Sequence, residues 1–345
     1  MVALAATSAD ARPASAAGAE PAVEAAGVEF SYKGRKALSG IDFRVAPGEI
    51  FGFLGPNGGG KTTLFRILAT LARPERGTVR VFGSDLADAA GLVRLRRDLG
   101  VVFQSPSLDL QLTVRENLVH QGYLYGLRGA DLAARVGKAL ARFGIADRAG
   151  ERAKKLSGGL RRRAEIAKAL LHGPRLLLLD EPSTGLDPGA RRDLSRTLDG
   201  LRREGVTVLL TTHFMEEGDR CDRLALLDGG RIVAEGSPAA LKEEIGGDVV
   251  ILTGPDPEAL ARDLAARYPE LSPAVRDGAV RFERERAHEF VARLVETLPG
   301  RIEAVSVARP TLEDVFLRRT GRALGAADAE DADGSERELA AGESP

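Results

Sequence analysis

The run GFLGPNGGGKTTL, residues 52–64, follows an apolar strand-like stretch and opens an amphipathic helix. In that strand–loop–helix setting, a G-x-x-x-x-G-K-[ST] match reads as a phosphate-binding loop rather than a chance glycine-rich turn. Gly55, Gly58 and Gly60 can take positive φ and let backbone N–H groups converge on phosphate oxygens. The helix beginning near Lys61 directs its positive dipole end at the same point. Lys61 is then expected to reach the β- and γ-phosphates and Thr62 to ligate magnesium, with Pro56, Asn57, Gly59 and Thr63 completing the cradle for a nucleoside triphosphate. These features predict a nucleotide triphosphatase.

A second segment, LLLLDEP at 176–182, reads as a buried strand that delivers Asp180 and Glu181 to its carboxyl end, where ligands bind in parallel sheets. Asp180 is expected to hold magnesium directly or through water, and Glu181 to orient and polarise the water that attacks the γ-phosphorus. Between the two segments lies KLSGGLRRRAEIAKALL, in which Ser157, Gly158 and Gly159 precede a long amphipathic helix. Its N-terminus offers a second set of unpaired N–H groups, and so a second phosphate site.

With LSGG the chain resembles the ATP-binding subunit of an ABC transporter, whose signature sequence is similar to LSGG followed by a polar residue. In that family the signature of one subunit covers the γ-phosphate held by the phosphate loop of another. One copy per chain therefore implies a dimer, of two such chains or of this chain with a paired ABC ATPase. The resemblance extends to four more positions in the expected order: Gln104, ending GVVFQ, is similar to the glutamine that senses magnesium and the attacking water. Asp187, in STGLDP, is similar to the residue whose loop crosses the dimer interface, and His213, ending VTVLLTTH, to the switch histidine on the γ-phosphate. Tyr32, in FSYKGRKAL, is similar to the aromatic that stacks on adenine, where a flat π-face suits a base. Each of these four also has an ordinary structural use as a cap, an interior histidine or a packed aromatic, so their joint order carries the resemblance. Two positions depart from it: Leu160 stands where many signatures have glutamine, and Gly59 where the phosphate loop commonly has alanine. Leucine cannot donate the amide hydrogen bonds of glutamine, so Leu160 is left out of the expected nucleotide contacts.

Strand-like runs at 28–32, 41–45, 50–54, 78–82, 100–103, 176–179, 206–210, 223–227 and 231–234 alternate with helical patterns. They predict an α/β phosphate-loop fold with an antiparallel side sheet. Residues from about 105 to 155 lack strand signals and read as an inserted helical subdomain. Gly246 and Gly247 end a short helix and mark an expected boundary: the nucleotide-binding domain covers 23–247, and a small α+β domain covers 248–321, for which the resemblance implies an assembly role. Residues 1–22, rich in Ala, and 322–345, acidic, are expected to be disordered tails.

Lys plus Arg number 49 against 50 for Asp plus Glu, so nothing predicts field-driven binding to nucleic acid or to a membrane surface. Cys221 is the single cysteine, which excludes an internal disulfide and suits a reducing cytoplasm. No apolar run reaches the length of a membrane span, so a membrane role requires a partner; the resemblance implies an integral permease, with this chain peripheral on the cytoplasmic face. VRENLVHQGYLYGL and PTLEDVFLRRTG resemble the daunorubicin-resistance branch of ABC ATPases, which serve type-2 exporters of drugs and lipids. The resemblance implies the ATP-hydrolysing subunit of an exporter; an importer ATPase or a non-transport ABC ATPase is the alternative. A chromosome-maintenance ATPase would interrupt the motifs with a long coiled coil, for which the interval from Gln104 to Ser157 is too short.

Overall fold

The computed structural model describes residues 20–322 except 299, together with residue 324. Apart from Arg322, Leu324 and residues 20–22, the expected acidic and Ala-rich tails lie outside the described residues. The chain opens with β1 (Val23–Tyr32), β2 (Arg35–Val45) and β3 (Ile50–Leu54), followed by α1 (Lys61–Leu68), β4 (Arg76–Val81), β5 (Ser84–Asp85), α2 (Ala89–Asp98) and β6 (Leu99–Val102). Three helices come next: α3 (Val114–Leu124), α4 (Gly129–Arg142) and α5 (Gly158–Leu170). Alternation resumes with β7 (Leu176–Asp180), α6 (Pro188–Arg203), β8 (Thr207–Thr212), α7 (Met215–Gly218), β9 (Arg223–Asp228), β10 (Arg231–Gly236) and α8 (Pro238–Glu243). The chain finishes with β11 (Asp248–Thr253), α9 (Pro257–Arg267), β12 (Ala274–Arg276), β13 (Ala279–Arg284), α10 (Ala287–Thr297), β14 (Ala304–Ala308) and α11 (Leu312–Thr320).

The central sheet has the order β10-β9-β3-β8-β7-β6, parallel throughout except for β10. Every residue of β3, β7 and β8 is buried, because layers cover both faces; the strand centres are apolar, and Asp180, Thr207, Thr211 and Thr212 stand at strand ends where hydrogen bonds satisfy them. Side chains alternate between two cores. Phe51, Phe53, Leu176, Leu178 and Leu209 face a core shared with α1 and the antiparallel sheet β2-β1-β4-β5. Leu177, Leu179, Val208 and Leu210 face the opposite core, built with α3, α4, α5 and α6. The fold is thus α/β with an antiparallel side sheet and a helical segment between β6 and β7.

A third sheet, β12-β13-β11-β14, is antiparallel and packs α9 and α10 over a core of its own. The helix after it, α11, leaves that core. Its Leu312, Val315 and Phe316 are fully buried in the core of the nucleotide-binding half, with Leu54, Leu226 and Leu241. β1 starts five residues before the strand that alternation predicts. Gly27 has φ 60°, and the pairing with β2 slips between Ala25 and Val28, so a bulge breaks the period-two pattern there.

Candidate active site

Register brings the loops together. In the central sheet Leu54 lies beside Thr212, Asp180 beside Thr211, and Val102 beside Leu179. The residues that follow these positions, namely Gly55, His213, Glu181 and Gln104, therefore all emerge at the carboxyl edge of four adjacent parallel strands.

Gly58 and Gly60 have φ of 73° and 103°, so the loop turns where a side chain would be strained. Gly55 does not take positive φ; it is glycine because a Cβ there would lie 2.1 Å from the Leu227 carbonyl oxygen. A Cβ on Gly59 would sit 3.0 Å from the Pro56 oxygen, so alanine, common at this position in the family the sequence resembles, fits only tightly. Asn57 is exposed and Gly60 is the N-cap of α1. The first turn of α1 carries no acidic residue, and Thr62 points to solvent while Thr63 is buried. Lys61 is buried; its Nζ donates to the carbonyls of Gly55 at 2.8 Å and Pro56 at 3.0 Å and lies 3.5 Å from Glu181 Oε1.

Glu181 is the meeting point. Its Oε2 accepts from Gln104 Nε2 at 3.1 Å and from Thr184 Oγ1 at 3.3 Å, and lies 3.4 Å from His213 Nδ1 without hydrogen-bond alignment. The neighbouring His213 and then the Lys61 ammonium hold its carboxyl below the ordinary glutamate range, against the upward push of burial. Its backbone has φ 44°. The N–H donates to both the carbonyl and the hydroxyl of Thr211. Thr211 Oγ1 also donates to Asp180 Oδ1 at 2.5 Å. Burial, reinforced by the charge of Glu181, raises the Asp180 carboxyl above the usual aspartate range, with Thr211 opposing.

Ser157 and Gly158 stand apart, exposed at the start of α5, where Ser157 Oγ accepts from the Leu160 N–H at 3.4 Å. A Cβ on Gly159 would meet Ala190 at 3.1 Å and one on Gly158 would meet the Gly185 oxygen at 3.6 Å, so the LSGG segment packs on the STGLDP loop. Asp187 is exposed and caps α6, accepting from the N–H groups of Gly189 and Ala190. Tyr32, 44% exposed, ends β1 beside Phe30. The paired strand β2 brings the Ala37 carbonyl against Gly60, since a Cβ there would lie 2.7 Å from it. The structure thus joins Lys61, Gln104, Asp180, Glu181 and His213 in one cluster and leaves Ser157, Gly158, Gly159 and Asp187 on a separate surface.

The ABC transporter family model matches residues 38–184. The Nod factor export ATP-binding protein I of Paraburkholderia xenovorans strain LB400 is 44% identical over 309 residues, covering 88% of this chain and 99% of that protein. The chain belongs to the ABC transporter family. Another member, the daunorubicin resistance ATP-binding protein DrrA3 of Streptomyces coeruleorubidus, is 40% identical over 310 residues, 88% of this chain and 97% of its own. Among solved ABC structures, cbiO1 from Clostridium perfringens, part of the transporter complex cbiONQ, superposes with a TM-score of 0.62 at 27% identity, covering 73% of this chain and 97% of that one. The ATP-binding cassette MJ0796, in a dimeric post-hydrolysis state with ADP and Pi, gives 0.57 at 28% identity over 62% of this chain and 98% of that one. As an ABC ATP-binding subunit the chain binds nucleotide and is an ATP hydrolase. No helix among the described residues is long and apolar enough to cross a membrane.

The donor set fits magnesium. The hydroxyl of Thr62, the carboxylate of Asp180 and the amide oxygen of Gln104 are hard oxygen ligands, and burial disfavours a lone charge on Asp180 that a divalent cation would compensate. Magnesium keeps waters and phosphate oxygens in its shell, so it needs no cage of three carboxylates or histidines, and none occurs among the described residues. In this ABC chain Leu160 is half-buried against the core rather than presenting a polar group. Sequence reasoning missed Thr211 and Thr184. Their signal is weak, a threonine at a strand end and one in a loop, and only the register between β7 and β8 gives Thr211 its place.

Proposed function

We propose that this chain is the ATPase subunit of an exporter that moves a drug, lipid or similar amphiphile through a separate integral membrane permease, to which it binds on the cytoplasmic face. The observation that carries the mechanism is the separation, within one chain, of two phosphate-binding helix N-termini. One adjoins Lys61 and the buried Glu181, and the other begins at the exposed Ser157. Two copies facing each other complete two sites, each holding ATP between the phosphate loop of one and Ser157, Gly158 and Gly159 of the other. Export, rather than import, is supported by the relatives named for export and for drug resistance over nearly their whole lengths.

In each site the loop N–H groups and Lys61 hold the phosphates, and Tyr32 stacks on the base. Gln104 and Glu181 share a hydrogen bond and so orient one water together. Glu181, kept ionised by its neighbours, accepts that water's proton, and His213 beside it contacts the γ-phosphate. Thr62, Asp180 and Gln104 would hold magnesium, which would neutralise negative charge on the phosphates. Loss of the γ-phosphate removes the contacts that join the copies, so populations shift from closed to open in each cycle. Residues 23–247 form this motor, with 105–155 as its helical lever and 248–321 as an assembly domain whose last helix, α11, packs into the motor's core. An open cleft lined by Val93, Arg96, Arg97, Gln121, Tyr123 and Leu124 supports the lever as the permease contact, because Val93, Tyr123 and Leu124 expose large apolar side chains there.

Glu181→Gln tests the reading. ATP binding should persist, hydrolysis should fall by about 10²- to 10⁴-fold, and size-exclusion chromatography with ATP should show a dimer that carries a membrane protein when isolated from cells. Normal turnover would refute Glu181 as the base.

A further inference from the structure

Arg162 sits on α5, five residues after Ser157, yet its side chain runs to the site of its own chain. It is 7% exposed, and its Nη1 donates to the Phe103 carbonyl at 2.9 Å and to Glu165 Oε2 at 3.0 Å. Its Nε donates to the Pro182 carbonyl at 3.0 Å and its Nη2 to the Glu181 carbonyl at 3.4 Å. Phe103 immediately precedes Gln104, and Pro182 immediately follows Glu181. Two further residues on the same helix extend the grip. Glu165 accepts from the Ser107 N–H at 2.8 Å, and Lys168 donates to the Ser107 carbonyl at 2.6 Å.

The site has reason to need such a grip. Glu181 is a non-glycine residue in the left-handed region, and a backbone in that state persists only where its surroundings fix it. Thr211 fixes its N–H side. Arg162 fixes its carbonyl side and, with the same guanidinium, the end of the strand that carries Gln104. A lysine could not span these acceptors, because only the planar guanidinium fork presents five donors in fixed directions. A buried ion pair such as Arg162–Glu165 adds little to net stability compared with apolar packing, so stability alone does not account for it.

We propose that Arg162 is a positioning residue for ATP hydrolysis: it locks the Glu181 carboxylate and the Gln104 amide into one arrangement around the attacking water, from the helix whose outer end bears Ser157. The proposal rests on Glu181 as the base. One helix then spans both sites of a dimer, with its cap turned to the nucleotide of the partner copy and its interior holding the base of its own.

The test is steady-state ATP hydrolysis by the full chain carrying Arg162→Lys, Arg162→Met or Glu165→Gln, with ATP affinity and far-ultraviolet circular dichroism confirming the fold. Arg162→Lys should lower kcat by about 10- to 100-fold, the scale of a small misplacement of a catalytic group, while the ATP dissociation constant stays within about twofold. Glu165→Gln, which keeps the shape but loses the charge partner, should lower kcat in the same direction and supports the conclusion if Arg162→Met does not fold. The deciding measurement is a double-mutant cycle. Added to Glu181→Gln, Arg162→Lys should cost nothing more, because the group it positions is already gone. Losses that multiply, or wild-type kcat in Arg162→Lys and Glu165→Gln, overturn the proposal. Wild-type hydrolysis by Glu181→Gln alone would instead remove the base assignment on which it stands.

Discussion

Four side chains converge on Glu181, and they set its protonation. His213 and Lys61 hold its carboxyl low while burial pushes the other way. The sign follows: with the folded value below the unfolded one, its stabilising interactions are complete above the ordinary glutamate pKa of about 4.3 and fade as pH falls through the lower folded value. The same order applies to catalysis. A profile of kcat/KM, which reports the free enzyme, should be flat on the acid side from neutrality to about pH 5 if Glu181 is the titrating base; an acid limb centred above that pH would assign the base elsewhere. Lys61→Ala should raise the ATP dissociation constant by about tenfold or more, the worth of a charge-assisted hydrogen bond, as measured by fluorescence titration. Lys61, Asp180 and Glu181 were legible in the sequence because each stands at a fixed offset from a glycine loop or a buried strand. Arg162 was not, since one of several arginines after a signature motif gives no sign of which will turn inward.

The elements divide in the same way. β3, β7 and β8 announce themselves by their apolar centres, since burial on both faces confines polar residues such as Asp180, Thr207, Thr211 and Thr212 to the strand ends. The first residues of β1 do not, because the bulge at Gly27 erases their alternation. α11 carries a readable start, Thr311 and Asp314 closing a reciprocal capping box, but nothing local says that it packs on α7. That contact is tight: a Cβ on Gly218 would lie 2.9 Å from Leu312 Cδ1. Removing the cap with Thr311→Ala should cost about 1 kcal/mol in urea unfolding. Phe316→Ala, which empties a fully buried site, should cost about 3–5 kcal/mol. Equal and small effects would mean that α11 is only loosely held.

At the scale of the whole molecule, the chain holds Lys61 and Glu181 at one surface and presents the capped start of α5 at Ser157 on another. Ser157→Arg places a bulky cation on the second surface alone. ATP should still bind to the single chain, whereas ATP-driven dimers of the Glu181→Gln form should vanish in sedimentation analysis; dimers that survive would separate α5 from the interface. This arrangement could be read from the order of motifs, but the return of α11 to the nucleotide-binding half could not, because it is a contact across most of the chain. That return has a consequence for biosynthesis. Leu312, Val315 and Phe316 are translated long after Leu54 but fill the interior beside it. The nascent motor must therefore wait with an open apolar face until α11 has emerged from the ribosome, and during that interval it is a natural client for chaperones.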